Sequence, residues 1–304
     1  MLGGGFSFLL LIVFSYILVK KGFDKQVFEG FPKFLFSICY PALVLVSFTG
    51  ENSLLSPENI PLIILLALIS TLSFFALGCI ALRRYQKEAR RPPILFYMIA
   101  NNTFLAFPFI YYFFGAFGLS FIILFGMIQD FLIWSLGYMQ YSKSGDLKQT
   151  IKSTLNPCFI AVIIGMFFTV NGWGLPDFLA TPIQMLADVS LPVVLLLVGS
   201  LIAQNTDALK FIDRDAVLTI LARMLLFPLL TFGILHLIGI DLTIVLLASF
   251  IVSLPAPMLG IVLARQFDKD IAFASTLFML STLLFLLNTA VLFLLQTQGI
   301  IPGF

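Results

Sequence analysis

Two adjacent amides and a hydroxyl, Asn101, Asn102 and Thr103, stand shortly ahead of Pro108 in the run "IANNTFLAFPFIYYFFG" (99–115). A second run, "ASFIVSLPAPMLGIVLARQF" (248–267), carries Ser253 just before the pair Pro255 and Pro257 and has Gly260 just after it. Asparagine amides both donate and accept hydrogen bonds, so they can bridge a carboxylate and a neighbouring carbonyl. Proline deletes a backbone donor and leaves a carbonyl one turn earlier without its partner, which encourages a break. A broken helix exposes N–H groups that favour anions at one new end and carbonyls that suit cations at the other. Both runs are apolar enough to lie in a bilayer, where irregular backbone persists only if it lines a cavity or is buried in protein. The chemistry expected of them is binding of a small solute where two interrupted helices meet. The alternative is that the prolines are packing kinks and the asparagines hold neighbouring helices together.

Four ionisable side chains fall inside apolar runs: Asp130, Asp188, Arg223 and His236. A charge at mid-membrane costs about 2.5 to 3.5 kcal/mol on insertion scales, so Asp130 is expected to face the bundle interior or a water-filled cavity. There it reads as a proton or cation carrier, or as half of an ion pair with Arg223. Arg223 reads as a structural or gating residue ahead of direct substrate binding. Asp188, in "LADVSLP", reads as a cap on a helix broken ahead of Pro192. His236 reads as an interface residue.

No catalytic constellation accompanies these groups. There is a single histidine, no glycine-rich phosphate loop and no Cys/His cluster, and the chain is expected to be neither an enzyme nor a binder of metal or cofactor. Cys39, Cys79 and Cys158 lie in apolar runs at unrelated spacings and read as small buried hydrophobes. The N-terminal run lacks a basic start and a small-residue cleavage site, and is expected to be a retained first span.

The elements that must position the site follow from composition. Sixty per cent of the 304 residues are hydrophobic and 11% charged, the balance of a polytopic membrane protein. The net charge of +2 is too small to point to nucleic acid. Ten apolar segments run near 5–20, 34–50, 60–82, 94–114, 117–141, 155–171, 181–204, 215–237, 243–264 and 271–296. Of the 17 lysines and arginines, all but Arg223 lie in the odd-numbered loops between these segments, while the even-numbered loops and both tails carry none. By the positive-inside rule both termini are then outside a cell membrane. No linker or soluble insert interrupts the chain, so a single membrane domain is expected. Five spans (1–150) followed by five more (151–304), starting on opposite sides, is the arithmetic of an inverted repeat. Proline recurs at matching places of the two halves: Pro41 and Pro192 in the second and seventh spans, Pro108 and Pro255 with Pro257 in the fourth and ninth.

These residues together resemble a known family. "NNTFLAFPFIYYFFG" is similar to the Asn-Thr…Pro…Phe-Gly stretch of the auxin efflux carrier family, and "LNPCFIAVIIGMFF" resembles the opening of its sixth span. "SLPVVLLLVGSLIA" and "LPAPMLGIVLARQFDKDIAFASTLFMLSTLLFLL" are similar to its seventh span and to its ninth and tenth, so the likeness covers essentially the whole chain. The resemblance implies an all-α membrane protein of ten helices in two inverted repeats, with a scaffold domain and helices four and nine broken and crossing. It implies a secondary transporter of organic acid anions, dicarboxylates such as malonate or malate or auxin-like monocarboxylates, with Asn102, Pro108, Pro255 and Pro257 marking the crossover. The doubled asparagine and doubled proline depart from the family pattern and leave the contact residue open. The short loop after the fifth span lacks the long hydrophilic insert of plant hormone carriers, which points to a bacterial-type member of an inner membrane. The expected partners are a small organic anion, membrane lipid, a proton or sodium ion for coupling, and a second copy in a homodimer. Two alternatives stand beside this reading: a sodium- or proton-coupled transporter of the related bile-acid-symporter or cation-antiporter fold, and a receptor or assembly subunit that moves no solute.

Overall fold

The structure, a computed structural model, describes residues 3–49, 59–81, 100–101, 105–132, 157–266, 268 and 270–297. Among them every regular element is helical. In chain order these are α1 (Gly3–Lys20), α2 (Gln26–Thr49), α3 (Asn59–Ala81), α4 (Ala106–Leu132), α5 (Pro157–Val170), α6 (Asp177–Gln204), α7 (Arg214–Leu237), α8 (Leu242–Val252), α9 (Leu259–Gln266) and α10 (Ile271–Thr297), with a short 3-10 helix, Thr206–Phe211, between α6 and α7. Among the described residues six helices are long and apolar enough to cross a membrane, and three shorter ones, Phe6–Lys20, Pro157–Val170 and Leu242–Val252, are also apolar. The ten labels do not map one to one onto the ten apolar segments. α4 holds the end of the fourth and the start of the fifth, while α8 and α9 are two pieces of the ninth.

Gly115 divides α4 into two arms, and its backbone (φ 62°, ψ −154°) lies in a region that side chains with a Cβ rarely enter. A Cβ there would meet open space, so glycine is required by the turn and not by crowding. The first arm is wedged among aromatic rings: Phe109 meets Phe285 of α10 edge to face at 5.2 Å, Phe113 stacks on Phe293, and Phe8 of α1 sits against Phe109.

Packing sorts the helices into two groups that cut across the halves of the sequence. α1 and α2 from the first half pack with α5 and α6 from the second. α1 presents Ile12, Ser15 and Val19, at helical spacing, as a buried face toward α6, and Ser15 Oγ donates to the Leu196 carbonyl at 2.6 Å. A Cβ on Gly199 of α6 would collide with the Ile12 carbonyl, so the two backbones touch there. α5 closes on α2 at Gly165, which takes the Phe48 side chain, and Thr169 Oγ1 donates to the Phe48 carbonyl at 2.7 Å. In the second group α7 packs on α8, α9 and the start of α7 pack on α10, and a core of Phe74, Ile220, Phe227, Val252, Phe273 and Leu277 joins α3, α7, α8 and α10.

Candidate functional site

The ninth apolar segment breaks between α8 and α9. Ser253 ends α8, its amide still bonded to the Ser249 and Phe250 carbonyls and its hydroxyl donating to Phe250 O at 2.7 Å. Leu254 to Pro257 are buried and non-helical. The cause is local: Pro255 and Pro257 each lack an N–H, and each disfavours helical backbone in the residue before it, so Leu254 and Ala256 are both turned away from the helix.

Backbone groups freed by this break find partners from three other elements. The Asn101 amide donates to the Pro255 carbonyl at 2.9 Å, which brings the non-helical stretch ahead of α4 against the break in the ninth segment. Arg223 of α7 donates through Nε to Leu254 O at 2.9 Å and through an Nη to Pro255 O at 3.1 Å. Ser281 Oγ of α10 accepts the Ala256 amide at 3.0 Å. Arg223 is 2% exposed and Asn101 6%, so the crossing is dry. A guanidinium is planar, always charged and forked, which suits two consecutive carbonyls at a helix C-terminus, where the helix dipole favours a cation. The arrangement places a fixed positive charge beside the break in the ninth segment and the non-helical Asn101 that meets it.

Asn102 and Thr103 lie outside the described residues. Pro108 is buried in the first turn of α4, where helix N–H groups have no intrahelical partner to lose, and the residues in which its break is expected lie largely outside the described ones. Ser253, Pro255 and Pro257 all sit at the break itself.

The structure places three of the charged residues as follows. Arg223 is engaged with the carbonyls of Leu254 and Pro255, a role that backbone geometry creates and side-chain sequence does not announce. Asp130 lies on α4 beside the exposed Phe131 and within electrostatic reach of Cys158 of α5, and its neighbour Gln129 donates to Thr71 Oγ1 of α3 at 2.9 Å. Asp188 caps nothing: α6 runs through Pro182 and Pro192 without a break, and the Asp188 carboxylate accepts from Gln184 Nε2 one turn earlier at 2.6 Å. A lone proline in a long helix removes one bond, which tightly packed neighbours tolerate.

A cavity of about 330 Å³ opens between α2, α6 and α4, and none of the residues at the break lines it. Tyr40, Ser47, Phe107, Tyr111, Asp188 and Ser190 supply its aromatic and polar wall. Tyr40 and Phe107 meet edge to face at 5.1 Å, so the start of α4 leans directly on α2. The roles of Tyr40, Gln129, Ser190 and Ser281 are not legible in the sequence. Tyrosines and serines in apolar helices carry no spacing signal, and only the Ser-Thr pair of the tenth span hints at Ser281.

Among the described residues no group of three or more His, Cys, Asp or Glu is gathered to hold a metal ion. Comparison with known proteins gives a consistent identity. The model of a family described as membrane transport protein matches residues 6–293. The chain is also similar to an uncharacterized transporter of Methanothermobacter thermautotrophicus, 25% identical over 291 residues that cover 93% of this chain and 94% of that protein. An apolar helical bundle with a buried break in its ninth segment, together with a match across nearly the whole length, places the chain in the membrane transport protein family, that of the auxin efflux carriers.

Proposed function

We propose that the protein is a secondary transporter of organic acid anions, of the size of malonate, malate or an auxin-like monocarboxylate, working by alternating access. The observation that carries this reading is the crossing at Pro255, where Asn101 and Arg223 converge on one carbonyl. A fixed guanidinium, half-helix ends and asparagine amides favour a carboxylate over a cation or a sugar. Asn101, Asn102, Thr103, Pro108, Ser253, Pro255 and Pro257 form the binding region in this reading, Arg223 ties it, and the ten segments act as two inverted five-helix repeats with both termini outside.

The grouping of α1, α2, α5 and α6 supports a scaffold against which the crossing moves, because it draws the same pair of helices from each half. Its close contacts, Gly199 on the Ile12 backbone and Gly165 on the Phe48 side chain, favour rigidity. The driving force in this reading is the membrane potential or an ion gradient. A potential of 100 mV supplies about 2.3 kcal/mol per charge, enough for about a 50-fold gradient of a monovalent anion leaving a negative interior.

Counterflow in proteoliposomes tests the reading. Vesicles loaded with unlabelled malonate, malate or indole-3-acetate are expected to accumulate the labelled acid transiently, and vesicles loaded with amino acids, cations or sugars are not. Absence of flux for every acid, with ligand or partner binding retained, would favour a receptor on the same scaffold.

A further inference from the structure

Arg223 brings to the break a charge as well as hydrogen bonds. It is the tenth residue of α7 (Arg214–Leu237), about 14 Å along a helix about 36 Å long, so its guanidinium lies deep in the bilayer, and it is 2% exposed. Asp130, Asp188 and His236 are the other acidic or basic side chains inside the apolar segments. Asp188 accepts from Gln184 on its own helix, Asp130 lies on α4 within electrostatic reach of Cys158 of α5, and His236 stacks on Phe232 at the far end of α7. The acceptors of Arg223 at the break, the carbonyls of Leu254 and Pro255, are dipoles; they hold the guanidinium in place and leave its unit charge in full. A helix carries equal and opposite partial charges at its two ends, so α8 translated through a field adds no net charge of its own.

The charge belongs to the helices around the break. α7 packs on α8, its first turns pack on α10, and its Phe227 stacks on Phe74 of α3 at 4.3 Å. Asp188 belongs to the other group, formed by α1, α2, α5 and α6. A displacement of one group against the other therefore carries Arg223 with the break and leaves Asp188 behind.

We propose that Arg223 is the charge on which the membrane potential acts: the empty protein moves one positive charge through the field, and a singly charged acid bound at the break cancels it. This rests on the reading of the chain as a transporter of organic anions. A monoanion then crosses as a neutral complex, and the empty return is the leg driven by voltage. A negative interior draws the positive empty form inward, which returns the vacant site to the inside and favours export. One negative charge still leaves per cycle, as it does when the acid alone carries charge; what differs is the step that feels the potential.

The test uses the full protein in liposomes with the potential set by a potassium gradient and valinomycin. Labelled indole-3-acetate is followed in two modes: exchange against saturating unlabelled acid, which cycles the loaded form alone, and net efflux into acid-free medium, which includes the empty return. Between 0 and about −100 mV inside, exchange is expected to change less than about 1.5-fold and efflux to rise about threefold or more, one charge crossing the whole field being worth about 50-fold. A second measurement needs no substrate. Voltage steps on acid-free giant liposomes are expected to give a saturable charge displacement of up to about one elementary charge per chain. Saturating indole-3-acetate suppresses it, Arg223→Lys keeps it, and Arg223→Gln abolishes it while making exchange follow the potential. Asp130→Asn, Asp188→Asn and His236→Gln leave it within about twofold. Should Arg223→Gln not purify as a monodisperse protein, a wild-type displacement that persists in those three variants carries the assignment. Silence of the acid-free wild type, a displacement lost in any of the three or surviving in Arg223→Gln, or exchange as steep in potential as efflux overturns the proposal. Acid flux with a silent acid-free protein refutes the Arg223 charge alone; a displacement with no acid flux refutes the anion reading alone.

Discussion

Proline does opposite things in two regions of this bundle. In α2 and α6 the helix continues through Pro41, Pro182 and Pro192, whereas between α8 and α9 it stops for Leu254 to Pro257. The difference lies in spacing and in what surrounds the freed carbonyl. Pro41 follows a π turn, Leu35–Cys39, which opens the helix where the proline ring would clash, and Pro228 follows another at Ala222–Leu226. Pro192 removes one bond from a 28-residue helix that is pinned to α1 at Ser15. Pro255 and Pro257 remove two donors within three residues and turn the intervening residue out of helical backbone. One proline bends a membrane helix; the Pro-Ala-Pro pattern ends it, provided other elements receive the exposed groups. Arg223, Asn101 and Ser281 are those receivers.

The largest effect is expected at Arg223. Replacing it with glutamine leaves the Leu254 and Pro255 carbonyls short of charged donors in a buried site, a loss of about 3 kcal/mol from bonds of about 1.5 to 3 each. Arg223→Lys is expected to recover less than half, because a single ammonium cannot reproduce the fork. Thermal denaturation in detergent measures both, and equal midpoints for lysine and arginine would mean that charge alone holds the break.

The contrasting region is tested at Gly199. Alanine there must push α1 away from α6, and overpacking of this kind costs about 1 to 3 kcal/mol. Because the strain falls among α1, α2, α5 and α6, the stability loss is expected without a change in the apparent affinity for substrate. An affinity shift of more than about threefold would show that the two helix groups are not separable. A smaller effect, about 1 kcal/mol, is expected for Ser281→Ala, which leaves the Ala256 amide unpartnered. Ser281→Thr, which keeps the hydroxyl, is expected to restore most of that loss.

Much of this architecture is legible in the sequence because membrane insertion enforces it. Each of the ten apolar segments contains described helix, and the Pro-Ala-Pro motif by itself announces the break in the ninth. Helix phase is not legible. In a helix apolar on every face, hydropathy does not say which side is inward. The cost of a mid-membrane charge singles out Asp130, yet nothing in the sequence singles out Gln129, one residue and about 100° away, whose side chain bonds to Thr71 of α3. Partners made of backbone are equally hidden. Nothing in the residue string ties Arg223 to the carbonyls of Leu254 and Pro255, and a carboxylate is the natural expectation. A cap at Asp188 follows only if Pro192 breaks α6, and the packing that keeps α6 whole is a tertiary property.

Whether the broken ninth segment itself holds the substrate is decided by the binding of organic acids to wild type and to the double substitution Pro255→Ala with Pro257→Ala. Restoring both N–H groups and both helical residues lets α8 and α9 join, which removes the crossing while leaving the α1, α2, α5 and α6 contacts untouched. The quantity read is thermal stabilisation by malonate, malate and indole-3-acetate. At least one of these acids is expected to raise the midpoint of wild type and none that of the double variant, which remains folded. Equal stabilisation of the two proteins would contradict a site at the crossing.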